Sequence, residues 1–325
     1  MPSNESLQSG LPTLPEVDLK SPAPIDSLVQ DVVRGLKESG ACIIRNLLDR
    51  EQVGHIMQDM KQFLKTRPDC PFFAQEVKVV GGLAGKSPTF ATHVACNEVW
   101  QKVLTHFLRH PYGPYWSGGK QYVSYSGVQL GSSAGLQLDP GAKAQDLHRD
   151  DTAHRTWNGE ASEYQIGRDS CLTSLTACTA TTSINGATRV VPGSHLWDYN
   201  RPPPPEGQGA VDALLQPGDS LFILGSVLHG HGENSSVDEE RMVLGCGACC
   251  DFLRQEENQY LAHDREALQQ LPSHVQRFIG YSTFEPAGGT ANWKDPWQLL
   301  NPNKEYEPMP MNTVEFTPER KEKAV

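Results

Sequence analysis

The chain opens with two helical patterns of apolar and polar positions, separated by a short apolar run. The first pattern repeats every three or four residues and predicts a helix that stops at Gly40. Its apolar positions are Ile25, Leu28, Val29, Val32, Val33 and Leu36. Residues 41–45 form the apolar run, and Asp49 then precedes a second helical pattern from Val53 to Leu64. The opening is therefore predicted to be helix, strand, helix.

The pattern changes in the middle of the chain, where short β-prone runs are separated by Gly, Pro, Asn and Asp turns. A helix over 97–110 is predicted before these runs, and two short helices, over 264–271 and 273–279, after them. The segment Gly131–Gly135 is expected to be a loose stretch. Helices around a set of strands favour an α+β domain with an antiparallel β core, either a barrel or a sandwich. The predicted strands are 122–130, 171–177, 189–191, 220–224 and 241–252.

The 325 residues divide into three predicted parts. Residues 1–24 contain five prolines and a cluster of serines, which indicates an extended N-terminal arm. Residues 25–285 carry the helical and strand patterns and are expected to fold as the main domain. Residues 286–325 are expected to be a loop-rich C-terminal tail.

Charge and composition exclude several classes of protein. The formal net charge of −11 argues against a nucleic-acid binder, and no apolar run is long enough to cross a membrane. The N-terminus lacks a basic start followed by an apolar segment, so we expect a cytoplasmic protein. The eight cysteines are scattered through the chain, which is typical of reduced thiols rather than a disulfide framework.

Candidate metal ligands lie in the segment 145–150. His148 and Asp150 are two positions apart, so in a β-strand both would project from the same face and could ligate one ion. A third ligand is expected at His229, where an apolar run enters a Gly-rich turn. His231 is the alternative, because spacing alone does not decide between the two.

Two histidines and one carboxylate favour iron over zinc. This ligand set leaves coordination positions open, as in non-haem Fe(II) oxygenases. Hydrolytic zinc sites more often take both histidines from one H-E-x-x-H helix, and the sequence has no such motif. Arg241 starts a strand twelve residues after His229, and the two strands are predicted to pair as a hairpin. Its guanidinium would then bind the distal carboxylate of a dicarboxylate cosubstrate.

Together these motifs resemble the phytanoyl-CoA dioxygenase-like branch of Fe(II)/2-oxoglutarate oxygenases, most closely its fungal enzymes of meroterpenoid and alkaloid metabolism. The motifs are Gln145-x-Leu-His148-x-Asp150, Asn185 to His195, Pro217-Gly-Asp219, His229 and Arg241. The resemblance implies a double-stranded β-helix (jelly-roll, cupin-like) core flanked by helices. It implies His148, Asp150 and His229 as the catalytic iron ligands. It also implies Arg241 as the cosubstrate anchor, with Gln145 and Thr188 as further 2-oxoglutarate contacts.

The implied activity is oxidation of a largely apolar, polycyclic natural product in a biosynthetic pathway. Hydroxylation, desaturation, epoxidation and rearrangement are all compatible with it, using Fe(II), 2-oxoglutarate and O2, with ascorbate as a candidate reductant. Similar enzymes are often homodimers. The alternatives are a non-catalytic metal- or cosubstrate-binding protein of the same fold and a zinc hydrolase on a β-barrel.

Overall fold

The computed structural model describes residues 13–64 and 77–317. The predictions for residues 1–12 of the arm and 318–325 of the tail lie outside these ranges. The strands of the described chain are β1 (Glu16–Asp18), β2 (Ala41–Arg45), β3 (Val77–Gly81), β4 (Pro111–Ser117), β5 (Lys120–Tyr125), β6 (Val128–Leu138), β7 (Cys171–Ala177), β8 (Thr188–Val190), β9 (Val211–Ala213), β10 (Ser220–Leu224), β11 (His229–His231), β12 (Arg241–Cys250) and β13 (Thr313–Glu315).

The α-helices lie between β1 and β13 along the chain. They are α1 (Ile25–Ser39), α2 (Arg50–Met60), α3 (Leu83–Lys86), α4 (Pro88–Phe90), α5 (Glu98–Leu108), α6 (Gln259–Ala262), α7 (Arg265–Gln269), α8 (Ser273–Ile279) and α9 (Pro296–Leu300). None of the helices in the described ranges combines the length and apolar character that a membrane crossing requires.

Two β-sheets form the core of the fold. The major sheet has the strand order β1-β2-β10-β7-β12-β6-β3, and the minor sheet has the order β11-β8-β9. Apart from the parallel β1–β2 pair, the strand pairs of both sheets are antiparallel. A third sheet, β13-β5-β4, lies beside them. The prediction of an α+β fold with a jelly-roll core flanked by helices is confirmed.

The helices pack on the major sheet because their apolar stripes continue its core. The apolar residues of α1 and α5 join one buried cluster with side chains of β2, β7, β10 and β12. Trp100 of α5 and Phe222 of β10 are in direct contact, with ring centroids 4.6 Å apart. Gly40 ends α1 at φ +81°, a conformation that glycine adopts without the penalty of a Cβ. The side chains of Asp49 and Gln52 cap the start of α2 reciprocally.

Several predicted elements occur at the expected residues, whereas two local predictions are wrong. β7 and β10 have their predicted bounds, and α8 occupies 273–279. The expected loose stretch Gly131–Gly135 instead lies within β6, where pairing with β12 orders it. The predicted hairpin does not form, because β11 pairs with β8 of the minor sheet while β12 pairs with β6 and β7 of the major sheet.

Segments outside the predicted main domain, before residue 25 and after residue 285, also pack against the core. Val17 of β1 is buried, and β1 forms the edge of the major sheet, within the range expected to be an extended arm. Beyond residue 285, Trp297 and Leu300 of α9 are buried and β13 pairs with β5. These segments are short and have weak periodicity, so only their distant partners in the sheets determine their structure.

Candidate metal centre and active-site cavity

Three side chains from two segments of the chain, residues 148–150 and the strand β11, come together in one group. His148 Nε2 lies 3.5 Å from Asp150 Oδ1, and His229 Nε2 lies 3.6 Å from the same oxygen. One ligand atom from each residue lies within 4.8 Å of the other two, a spacing that allows all three to hold one metal ion. This donor set of two imidazoles and one carboxylate suits a divalent transition metal with open coordination positions.

Backbone carbonyls orient both imidazoles towards the carboxylate. The Nδ1 atom of His148 lies 3.0 Å from the Asp146 carbonyl oxygen, and Nδ1 of His229 lies 3.1 Å from that of Val227. An Nδ1–H that donates to a carbonyl leaves Nε2 unprotonated, the form in which histidine binds a metal. Burial also lowers the pKa of His229, which favours its neutral form.

The carboxylate of Asp150 is fixed by a hydroxyl on the neighbouring strand. Thr173 Oγ1 donates a hydrogen bond of 2.6 Å to Asp150 Oδ2, so that Oδ1 faces the two histidines. Burial opposes ionisation of Asp150, but the imidazoles of His229 and His148 and the Thr173 hydroxyl outweigh it. The pKa of Asp150 therefore lies well below its usual value, and the group is an anion at neutral pH.

The backbone around the three side chains differs from the strand expected for 148–150. His148 forms a single antiparallel bridge with His229, and Asp150 begins a short 3-10 helix over Asp150–His154. The two side chains nevertheless meet, because the chain turns into this helix directly after the bridge. His231 lines the same cavity but lies outside the close group of ligand atoms, with its Nδ1 3.0 Å from the Gly232 carbonyl oxygen.

Arg241 lies in the same cavity as the three candidate ligands. Its side chain is 2% exposed, and among the described residues its guanidinium donates only to the Gly186 carbonyl oxygen, from Nε at 3.1 Å and Nη2 at 2.7 Å. Burial lowers the pKa of Arg241 to about 10, so it is still a cation at neutral pH. A buried guanidinium without a carboxylate partner in the described chain is suited to bind an anionic ligand.

Gln145 and Thr188 line the cavity from the side of the minor sheet. The backbone N–H of Gln145 donates to the His231 carbonyl oxygen at 3.0 Å, and its side-chain Oε1 accepts from the His231 N–H at 3.4 Å. Thr188 pairs with His231 across β8 and β11 and is 6% exposed. The structure thus brings all six predicted site residues into one cavity of about 360 Å³.

A second group of ligand-type side chains borders this cavity. His154, Cys171 and Glu256 also have atoms within 4.8 Å of one another, and His154 Nε2 lies 3.2 Å from Glu256 Oε1. Burial raises the pKa of the Cys171 thiol well above its usual value, so the sulfur is protonated and a poor ligand. Sequence reasoning missed Glu256 and Thr173, because neither stands in a motif and only the folded chain brings them beside the site.

Comparison with known proteins identifies the family. Residues 36–243 match the profile of the phytanoyl-CoA dioxygenase (PhyH) family. The chain belongs to the phytanoyl-CoA dioxygenase family. This confirms the resemblance inferred from the motifs and the prediction of a dioxygenase. Membership therefore favours an oxygenase over the zinc hydrolase and the non-catalytic binding protein.

Relatives of this family member occur in fungi. The dioxygenase cnsJ of Penicillium expansum is 36% identical over 307 residues, which cover 94% of this chain and 92% of the relative. The dioxygenase andF of Emericella variicolor is 31% identical, with 83% of this chain and 91% of the relative covered. The match thus extends over most of the length of both proteins.

Solved structures show the same fold at low sequence identity. The non-haem α-ketoglutarate-dependent carbocyclase SnoK from nogalamycin biosynthesis has a TM-score of 0.53 at 19% identity, covering 73% of this chain and 90% of SnoK. HygX from Streptomyces hygroscopicus, solved with nickel and 2-oxoglutarate bound, has a TM-score of 0.51 at 14% identity, covering 70% and 88%. At such identities the likeness supports the fold and no residue roles.

Proposed function

We propose that this dioxygenase family member uses Fe(II) and 2-oxoglutarate to oxidise a small molecule in a biosynthetic pathway. His148, Asp150 and His229 would hold the iron. The observation that carries the proposal is the convergence of the Nε2 atoms of His148 and His229 on one carboxylate oxygen of Asp150, at 3.5 and 3.6 Å. Hydrogen bonds to neighbouring groups fix the orientation of all three side chains, as they do in metal sites.

Arg241 is the proposed anchor for the cosubstrate. 2-Oxoglutarate carries a carboxylate at each end, and a buried guanidinium in the cavity of the candidate metal ligands provides a partner for the distal one. Thr188 and Gln145 would add hydrogen bonds to the cosubstrate from the minor sheet. With these contacts the protein places the keto acid end of 2-oxoglutarate next to the iron ligands.

The bound iron and the cosubstrate would carry out the oxidation, and the protein would position the substrate next to them. Fe(II) with 2-oxoglutarate and O2 supplies the oxidising power for attack on an unactivated C–H bond, with succinate and CO2 as coproducts. The cavity walls exclude water and decide which hydrogen of the substrate lies next to the metal. Leu136, Leu175 and Val243 line this space. Apolar walls support the proposal of a largely apolar, polycyclic substrate.

Cellular location, oligomeric state and reductant complete the proposed function. We propose a cytoplasmic location and a homodimer, and ascorbate as the reductant that keeps iron in the ferrous state. Hydroxylation, desaturation and rearrangement can each start with removal of a hydrogen from the substrate, whereas epoxidation of an alkene adds an oxygen atom to a C=C bond. The structure of the product would distinguish them.

The test is incubation of the purified protein with Fe(II), ascorbate, 2-oxoglutarate and metabolite extracts. We expect succinate that depends on 2-oxoglutarate, together with a mass change of one added oxygen or two lost hydrogens in one extract component. Metal analysis of the same sample should find one iron per chain. Zinc retention with hydrolysis products would support a hydrolase instead, and metal binding without succinate from any extract would support a non-catalytic protein.

A further inference from the structure

Glu256 lies where two cavities meet. The cavity of the candidate metal ligands, of about 360 Å³, lies beside a larger cavity of about 770 Å³, which is lined mainly by segments from the C-terminal third of the chain and by β6. Among the described residues that line these cavities, Glu256 is common to both. A molecule that extends from the larger cavity to the metal ligands therefore passes this carboxylate.

Hydrogen bonds on either side of Glu256 tie this segment to β6 and α8 and fix its backbone position. The N–H of Glu257 donates to the Gly131 carbonyl oxygen at 3.0 Å, and Nε2 of Gln259 donates to the same oxygen at 3.1 Å. Nε2 of Gln255 donates to the Ile279 carbonyl oxygen at 2.7 Å. Because residues on both sides of Glu256 are held by hydrogen bonds, the fold determines the position of Glu256 at the mouth of the cavity.

A bulge in β6 provides the space for the carboxylate. Opposite Gly247 and Ala248 the register shifts, and Gly131 has no partner in the ladder between β6 and β12. A Cβ on Gly131 would lie 1.9 Å from Glu256 Oε2, and its three nearest atoms all belong to Glu256. The carboxylate therefore occupies the space that any side chain at position 131 would need.

The charge around Glu256 favours a cationic ligand. The titratable groups around it are His154, Cys171, Cys249 and Asp150, with His154 Nε2 3.2 Å from Glu256 Oε1. Burial raises the pKa of Glu256, so a cation in the cavity would favour its ionised form. The side chain of Glu256 is 27% exposed, so a substrate that covers the cavity mouth removes it from water. Desolvation of a carboxylate is costly unless a donor replaces the water, and a protonated amine is the strongest such donor.

We infer that Glu256 binds a protonated amine of the substrate and so holds the apolar part of the molecule over the metal ligands. The inference rests on the proposed function, since it takes the cavity of the candidate metal ligands as the active site. It narrows the substrate class to basic, nitrogen-containing small molecules. Glu256 acts here as a specificity-determining residue that contacts substrate away from the reacting atoms.

The test compares two probes that differ in charge. 2-Phenylethylamine and its N-acetyl derivative share the aromatic ring, and only the amine is a cation. Saturation-transfer NMR titrations would use protein loaded with Zn(II), which cannot turn over, and 2-oxoglutarate. We expect the amine to bind at least about tenfold more tightly than the amide, and Glu256→Gln to remove this preference while changing amide binding by less than about twofold.

Two further variants distinguish the effect of the Glu256 charge on binding from a general effect of substitution on the folded protein. Gly131→Ala should displace the flexible Glu256 carboxylate and abolish the amine preference in a folded protein. Glu160→Gln makes the same charge change at an exposed residue outside both cavities and should leave the preference intact. Equal binding of the two probes to wild type, no binding of either at millimolar concentration, or retained preference in Glu256→Gln would overturn the inference. The same titrations are repeated with metal-free protein. They show whether amine binding depends on the metal, so failure of this inference can be distinguished from failure of the metal site.

Discussion

The two groups of metal-ligating side chains beside this cavity have similar spacing and different chemistry. In both, three ligand atoms lie within 4.8 Å of one another. In the group of His148, Asp150 and His229, two carbonyl oxygens and a hydroxyl orient the donors, and the carboxylate is ionised. The other group contains a thiol whose pKa is well above its usual value and a glutamate on a segment at the cavity mouth.

This difference shows that proximity alone does not make a metal site. A metal competes with protons for each ligand, so a site that binds tightly has its donors already deprotonated and oriented. In the first group all three donors are oriented and the carboxylate is ionised, whereas the second group contains a protonated thiol. The second group leaves one carboxylate at the cavity mouth for a ligand, and substitutions in and around both groups can test that contrast.

The largest effect is expected for His148→Ala. Loss of one of three ligands should abolish metal retention and reduce 2-oxoglutarate-dependent succinate formation to below about 1% of wild type. Metal content by elemental analysis checks the first result. The stabilisation by added metal, about 2.7 kcal/mol at 100 times the dissociation constant, should also disappear from thermal unfolding. Normal metal content in the variant would contradict the assignment.

A smaller loss is expected for Arg241→Ala. Removal of the bidentate anchor should raise the KM for 2-oxoglutarate about 10- to 100-fold, because a charge-assisted pair is lost. Arg241→Lys keeps the positive charge without the planar fork and should give an intermediate value. Steady-state kinetics at varied 2-oxoglutarate measure both, with circular dichroism to verify folding. Unchanged KM in Arg241→Ala would show that another residue anchors the cosubstrate.

Thr173→Val tests the hydroxyl that holds Asp150. The valine keeps the shape of threonine but cannot donate to Oδ2, so metal affinity should fall about tenfold. Competition with a chelator measures the affinity. Thr173→Ser restores a hydroxyl and is expected to recover most of it, whereas equal weakening by both substitutions would point to packing rather than the hydrogen bond.

The smallest effect is expected for Cys171→Ala. If the second group binds no metal, the variant should keep one metal per chain, with an affinity within about twofold of wild type. Elemental analysis of the two proteins in parallel measures the metal content, and chelator competition measures the affinity. Two metals per chain in wild type and one in the variant would make the second group a metal site after all.

Local sequence pattern was sufficient for much of the framework. The apolar spacing of α1, the position of Asp49 before α2, and the continuous apolar run of β10 are properties of neighbouring residues, so they could be predicted. The candidate ligands could also be proposed from sequence, because His148, Asp150 and His229 stand in linked motifs with characteristic spacing.

Features that depend on distant pairing could not be predicted. The assignment of β11 and β12 to different sheets, the order of Gly131–Gly135 within β6, and the strand β1 all come from partners far away in the chain. The position of Glu256 has the same origin, since it requires a bulge in β6 more than a hundred residues earlier. Such contacts leave no trace in the spacing of adjacent residues.

The bridge between His148 and His229 has a consequence for the evolution of this enzyme. Each of the two residues donates its backbone N–H to the carbonyl oxygen of the other, at 2.9 and 3.0 Å. The main chain therefore sets the separation of two of the three ligands. Mutations in the apolar walls can change the shape of the cavity without moving these histidines. The enzyme can therefore acquire new substrates while the geometry of its candidate metal ligands is retained.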